Sequence, residues 1–327
     1  MEPAEKPSFE SGRVPRVSIG VPVYNGARYL QEALDSIAAQ TFQDWELVIC
    51  DNASTDETAS ISRRFVEREP RARYQRNPVN IGSDRNFNLC AELSRGEYFM
   101  TVAYDDRLHP QYLEKTVAVL DADPAASFVH TRAWEIDAEG KTLGAAESAE
   151  FAEHAASPHE RFRNVLTVVP DIISAFGLMR MDVFRATPGY IQYPSSDAFL
   201  QVELALRGRM REVPEFLFFR RLHPAAGHYV PLHEQFEESD PGAGLRIFFP
   251  EWRRFGEYAR SVLRVPMPLS ERLRCLGVLP SYWKRRRLRY RFTKDVRKAL
   301  RAGMLMTAPR LGRKILARRA RHAEGGE

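Results

Sequence analysis

Short apolar runs, each followed by a segment with helical spacing, constrain the fold of this chain more than any other feature. Val17-Ser-Ile-Gly-Val-Pro-Val23 is β-branched and apolar almost throughout, the mark of a strand covered on both faces. Tyr24-Asn-Gly26 reads as a turn. From Ala27 to Gln40, the residues Leu30, Ala33, Leu34, Ile37 and Ala38 recur at the spacing of one helix face. Glu46-Leu-Val-Ile-Cys50 reads as a second strand. Ser54, with Glu57 three residues on, matches a capping box and predicts a helix to about Arg68. A short strand near 73–75, the loop Asn77-Pro-Val-Asn-Ile-Gly82, a helix from Ser83 to about Leu93 and a strand over 97–103 complete the series. Strand–helix alternation at these intervals predicts an α/β fold with a mostly parallel sheet flanked by helices.

In such sheets ligands bind beyond the carboxyl ends of the strands. Asn25, Asp51 and Asp105 each follow a predicted strand directly, so they are expected to converge on one crevice. Further along, a helix from His109-Pro110 to about Leu120 and a strand over Ser127–Arg132 are expected, then a turn at Asp137–Lys141. Residues 142–158 are polar and read as a mobile loop. A helix near 159–169 and a strand from Ile173 to Arg180 follow. Ser195-Ser196-Asp197 reads as the start of a helix that Gly208 ends, and Val213–Arg220 as a further strand.

The chain has 327 residues, 44% hydrophobic and 28% charged, enough for a sizeable core. Its three cysteines, Cys50, Cys90 and Cys275, suggest neither a disulfide framework nor a zinc pattern. The first ten residues lack an apolar core, and no apolar run approaches the ~20 residues that cross a bilayer. These features predict a cytoplasmic protein. The net charge of +5 hides a split: Ser281 to His322 holds 16 Lys/Arg and one acid, whereas residues 1–280 carry a net charge of −8.

Asp105-Asp106 raises the sharpest chemical question. Adjacent carboxylates at a strand end need a compensating charge. A divalent cation, a basic side chain or open water each supplies one, and a turn or helix cap before Pro110 is the purely structural reading.

The stretches VSIGVPVYNGARYLQEALDSIAAQT and WELVICDNASTDET resemble the opening of family 2 glycosyltransferases, which have the GT-A (Rossmann-like) fold. NIGSDRN, GEYFMTVAYDDRLHP and SSDAFLQVELALRG…VPEFLFFRRLHP resemble later segments of that family in the same order, over about residues 16–225. The resemblance implies a nucleotide-sugar donor, a divalent cation (Mg²⁺ or Mn²⁺), and a displacement that inverts the anomeric carbon. It implies that Asp106 binds the metal with His223 as a second ligand, and that Asp105 meets the ribose or shares the metal. Pro22, Tyr24, Asn25, Asp51 and Arg85 would line the nucleotide, Asp51 accepting from the base imide of a UDP- or dTDP-sugar. Asp197 would be the general base for the acceptor hydroxyl. The structural alternatives are a helix cap for Asp51 and Asp197, a packing aromatic for Tyr24, a solvated helix face for Arg85 and a strand-end surface imidazole for His223. Arg220 and Arg221 read either as diphosphate partners or as exposed strand charges. Gly177 reads either as a close approach of ligand to backbone or as relief of a bend. Two positions depart from the family: Asn52 and Ala103 stand where a carboxylate is common.

The expected organisation is a disordered lead-in (1–15), a GT-A domain (16–225), a helical extension packing on it (226–280) and a basic amphipathic tail (281–327). The tail interleaves aromatic and basic residues. It suits an anionic membrane surface through 281–321, or a face docked on the acidic body; nucleic acid is the weaker rival. The acceptor would be a carbohydrate or glycolipid, in cell-surface polysaccharide or glycolipid synthesis, and the enzyme would be peripheral on the inner membrane face. The rival functions are a nucleotidyltransferase, for which the Gly-rich loop after the first strand is missing, and an inactive nucleotide-sugar binding module.

Overall fold

The computed structural model describes residues 14–146, 155–168, 176–193, 196–224 and 250–284. Residues 1–13 of the expected lead-in, residues 147–154, the segment Asp171–Ala175, Ser195, residues 226–249 and the tail beyond Lys284 lie outside the described residues. The start of the expected 142–158 loop is instead a strand, Thr142–Ala145, because it pairs with the strand before it. The chain divides into two compact units between Gly242 and Ala243.

In the first unit, β1 (Val17–Val23), β2 (Trp45–Asp51), β3 (Ala72–Arg76) and β4 (Tyr98–Thr101) lie parallel in the order β3-β2-β1-β4. All seven residues of β1 are buried because strands flank it on both sides and helices cover both faces. The helices are α1 (Leu30–Ala38), α2 (Thr58–Arg68) and α3 (Ser83–Leu93). Helix α1 packs Leu30, Ala33, Leu34 and Ile37 inward, the stripe that the sequence periodicity predicts. The chain runs outward from β1 to β3, then returns through α3 to place β4 on the other side of β1. This reversal makes the β1–β4 edge the switch point of the sheet, where a crevice opens beyond the strand ends.

The sheet continues past β4 through β8 (Leu178–Arg180), β6 (Ala126–Ile136), β9 (Arg209–Arg221) and β5 (Arg107–Leu108), with β7 (Thr142–Ala145) paired to β6. The long β6–β9 ladder is parallel, and the short pairings of β8, β5 and β7 are antiparallel. Helices α4 (Tyr112–Ala122), α5 (Pro158–Val168), α6 (Met181–Arg185) and α7 (Ser196–Arg207) complete the unit. The core centres on β1, β2 and the inward stripes of α1 and α4.

Gly177 is explained by packing. A Cβ there would stand 2.2 Å from Phe128 Cζ and 2.5 Å from the Val129 carbonyl oxygen. Gly177→Ala is therefore expected to destabilise by about 1–3 kcal/mol, read as a lowered midpoint in thermal denaturation. A midpoint unchanged from the native chain would contradict this account. Gly208 does end α7, but a Cβ there would meet Ser127 Cβ at 2.6 Å and its backbone N at 2.8 Å, so close strand contact demands the glycine.

The expected capping box at α2 is not formed. Ser54 Oγ accepts from Asn25 N instead, and Asp56 Oδ1 accepts from Thr58 N. The tertiary neighbour wins because Asn25 N has no other ladder to join.

In the second unit, α8 (Pro250–Arg264) buries Tyr258, Ser261 and Val262, and α9 (Leu269–Lys284) buries Cys275, Val278 and Leu279. Trp252, Leu263, Leu269 and Leu273 are exposed. Among the described residues, no helix is long and apolar enough to cross a membrane.

Candidate active site

The loops after β1 and β2 are laced together at the switch point. Asn25 takes φ 51°, a left-handed conformation that Asn tolerates better than most residues. Its Oδ1 accepts from Thr55 N, and Gly26 N donates to Thr58 Oγ1. Ala53 also takes positive φ (64°), which costs a residue with a Cβ about 1–2 kcal/mol. The bonds on either side hold it there: Asn52 N donates to the Val23 carbonyl and Ser54 N to Asp51 Oδ1.

Asp51 is fully buried. Its Oδ2 accepts from the Tyr74 hydroxyl at 2.6 Å, and Arg76 Nε stands 3.4 Å away. Burial, followed by the bond to Asp51, pushes the Tyr74 phenol above its ordinary range. Beside Asp51, the Asn52 carboxamide accepts from Ile81 N and Asn77 Nδ2 and donates to Asn80 Oδ1. A carboxylate at 52 would lose that donor and face the Asn80 oxygen, so the departure from the family pattern has a local cause. The amide ties the 77–82 loop to the end of β2.

On the other side of the switch point, Tyr104 lies over the first loop: a Cβ on Gly26 would be 2.6 Å from Tyr104 Cδ2. Asp105 and Asp106 follow and meet the end of β9. His223 Nε2 lies 2.8 Å from Asp105 Oδ2. Asp106 is buried, and its Oδ1 accepts from Arg221 N at 2.8 Å. Burial and then the neighbouring Asp105 push the Asp106 carboxyl well above the usual carboxylate range. The structure thus sets Asp105, rather than Asp106, against His223.

Arg221 bonds backbone carbonyls and Glu32 through its guanidinium, which reaches neither the Asp105 nor the Asp106 carboxylate. Its side chain is 1% exposed. Its Nε donates to the Asp105 carbonyl at 2.8 Å, and one terminal nitrogen reaches the Asp137 and Ala138 carbonyls at 3.1 Å each. The other meets Glu32 Oε2 at 2.5 Å, and Glu32 also binds Arg107. Tyr29 packs between them, its ring 4.9 Å from that of His223 and 4.7 Å from the Arg221 guanidinium carbon. Arg221 is therefore neither an exposed strand charge nor open to a diphosphate.

Asp197 is half-buried in the first turn of α7. The preceding segment returns to the switch point, where Tyr190 Oη and Thr101 Oγ1 pair at 3.1 Å at the end of β4. The carboxylate of Asp197 adds to the burial that raises the Tyr190 phenol. Asp197 therefore lies near Tyr190, whose hydroxyl meets the end of β4.

The other candidates are placed differently. Tyr24 is 45% exposed beside the crevice, whereas Pro22 is buried within β1 opposite Cys50. Arg85 is exposed on α3 and bonds Gln192 Oε1. Glu32, Tyr29 and Asp84 escape a sequence reading. Helical spacing gives Glu32 to the solvent side of α1, and nothing local to Tyr29 or Asp84 marks their partners about 190 and 110 residues away, respectively.

Among the described residues, no three carboxylate, imidazole or thiol groups converge so as to hold a metal by themselves. Asp105 Oδ2 and His223 Nε2 lie within hydrogen-bond distance of each other.

A parallel sheet with carboxylates at its switch point and a long extension flanked by antiparallel strands defines an α/β domain of the GT-A type. The profile of glycosyl transferase family 2 matches residues 18–187, and the chain belongs to that family. It is 36% identical over 131 residues to the chondroitin synthase of Escherichia coli, covering 40% of this chain and 19% of that protein. The chain spans between 13% and 39% of the length of the curated relatives it matches. Among solved structures, Staphylococcus aureus TarS 1-349 in complex with UDP superposes with a TM-score of 0.56 at 17% identity, over 89% of this chain and 91% of that one. The mannosyltransferase PcManGT from Pyrobaculum calidifontis, in complex with GDP-Man and Mn²⁺, does so with a TM-score of 0.55 at 17% identity, over 96% and 82%.

Proposed function

We propose that this chain transfers a sugar from a UDP- or dTDP-sugar to a hydroxyl of a carbohydrate or glycolipid acceptor, inverting the anomeric carbon. The pairing of Asp105 with His223 beside the switch point, with Asp197 near Tyr190, whose hydroxyl meets the end of β4, carries this reading. Asp105 and His223 would hold Mg²⁺ or Mn²⁺, which when bound neutralises charge on the leaving diphosphate. The buried carboxyl of Asp106 then holds the turn, through Arg221 N, rather than the ion. Exposed Tyr24 offers a face to the base. Asp51 is fully buried with its oxygens held by Ser54 N and the Tyr74 hydroxyl, so it reaches a base imide only if one of these partners yields.

Asp197 takes the acceptor hydroxyl proton as the acceptor oxygen bonds to the anomeric carbon. The bond from that carbon to the diphosphate oxygen breaks, and the nucleoside diphosphate leaves with its electron pair. The likeness to a polysaccharide synthase supports a place in surface polysaccharide or glycolipid assembly.

Released nucleotide, measured across UDP-, dTDP- and GDP-sugars with divalent cation and candidate acceptors, tests the proposal, and the product's anomeric configuration by NMR tests inversion. Donor binding without turnover would leave only a nucleotide-sugar binding module. Asp105→Asn is expected to weaken cation-dependent UDP binding by at least about 10–100-fold, read by calorimetry with and without Mn²⁺. Cation dependence as strong as in the native chain would remove Asp105 from the metal.

The same reading places the enzyme at the inner membrane face. Exposed Trp252, Leu263, Leu269 and Leu273 support this, as do the 16 Lys/Arg of residues 281–322. Full-length protein is expected to float with anionic liposomes and a 1–280 truncation to stay behind. Equal recovery of both in the soluble fraction would refute it.

A further inference from the structure

We infer that Asp84 is a positioning residue that sets the carboxylate of Asp197 against the donor crevice; this rests on Asp197 being the general base. Helix α3 begins where the 77–82 loop ends, and that loop is tied to the end of β2 through Asn52. Asn86, in the first turn of α3, donates to the Cys50 carbonyl at 2.8 Å. The helix start is thereby registered to the nucleotide side of the sheet.

From this fixed base α3 grips the segment that leads into α7. Asn88 accepts from Tyr190 N at 2.9 Å and donates to the Tyr190 carbonyl at 2.7 Å. Asp84, 5% exposed, accepts from Tyr193 N at 3.0 Å through Oδ2 and from the Ser196 hydroxyl through Oδ1. The last of these contacts falls one residue before Asp197. Hydrogen bonds to a carboxylate are shorter and about twice as strong as neutral ones, and a carboxylate beside the first turn of a helix also meets the positive end of its dipole.

A buried carboxylate is an expensive way to begin a helix, since an exposed Ser or Asn would cap α7 without desolvating a charge. Here it does what a local cap cannot. It joins α7 to α3 across a separation of 112 residues, and so fixes the distance from Asp197 to the loop that frames the donor.

Two variants test the assignment. Asp84→Asn keeps the volume and the acceptor for Ser196 but turns an amide N–H₂ toward Tyr193 N. Ser196→Ala removes the arm next to Asp197 and leaves the Tyr193 bond. Single-turnover nucleotide release at saturating donor is expected to fall about 10–100-fold in Asp84→Asn and about 5–10-fold in Ser196→Ala. Donor Kd should stay within about twofold in both. In an Asp197→Asn background neither substitution should slow turnover further.

Turnover within about twofold of native in the folded variants would overturn the inference. So would donor Kd weakening in step with turnover, or an additive loss in the Asp197→Asn background. Should Asp84→Asn not fold, Ser196→Ala decides alone. Native turnover in Asp197→Asn itself would mark failure of the general-base reading, and the inference would fall with it. An inactive Asp197→Asn beside a fully active Asp84→Asn would mark failure of the inference alone.

Discussion

An Asp197→Asn chain is expected to bind donor like the native enzyme and to turn it over about 10²–10⁴ times more slowly. The amide matches the carboxylate in size and keeps an acceptor oxygen, so the first turn of α7 should be undisturbed. It cannot take a proton, and the acceptor hydroxyl must lose one as it attacks. The loss should therefore appear in kcat with little change in donor affinity, the mark of an interaction made only at the transition state. Single-turnover nucleotide release, together with UDP titration by calorimetry, measures both. A variant that retains more than about a tenth of native turnover would mean that another group accepts the proton.

Arg221→Met should have the largest effect on stability. The guanidinium is buried and serves three backbone carbonyls and Glu32, from three segments of the chain. Methionine fills much of the volume but offers no donor. Removing one member of a buried, hydrogen-bonded charge network costs about 3–5 kcal/mol. In thermal denaturation of a unit this size, that corresponds to a fall of roughly 10 °C. The consequence reaches function because the Asp105 carbonyl is one of the groups released. Cation-dependent UDP binding should weaken even at temperatures where the variant is folded. A stable variant with native UDP affinity would show that the 105–106 turn holds itself.

Much of the fold was legible because it depends on short-range patterns. The apolar run at 17–23 reads as a doubly covered strand, and all seven residues are buried. The predicted span of α3, Ser83 to about Leu93, is the observed one. The expectation that Asn25, Asp51 and Asp105 converge rests on topology alone, because parallel strands present their carboxyl ends to one edge.

Other features depend on who the neighbour is, and local chemistry misreads them. Ser54 has the spacing of a cap, yet its hydroxyl serves Asn25. Gly208 stands where a helix-ending glycine belongs, yet Ser127 is what excludes a side chain. Arg221 reads as a diphosphate partner or a surface charge because alternation along β9 cannot reveal that the β6–β7 turn and α1 close over it.

By itself, then, the sequence left out the short strands Arg107–Leu108 and Thr142–Ala145 but determined the order of strands and helices through β4, the end of the sheet where polar residues gather and the kinds of side chain that arrive there. Those follow from the periodicity of apolar burial and from backbone geometry, both local to a few residues. Only the tertiary structure decided which carboxylate faces His223, which one is sealed beneath Arg221 and which one, on α3, grips the start of α7. Those choices rest on hydrogen bonds between residues some 110–190 positions apart, whose directions are set by packing and leave no periodic trace in the chain.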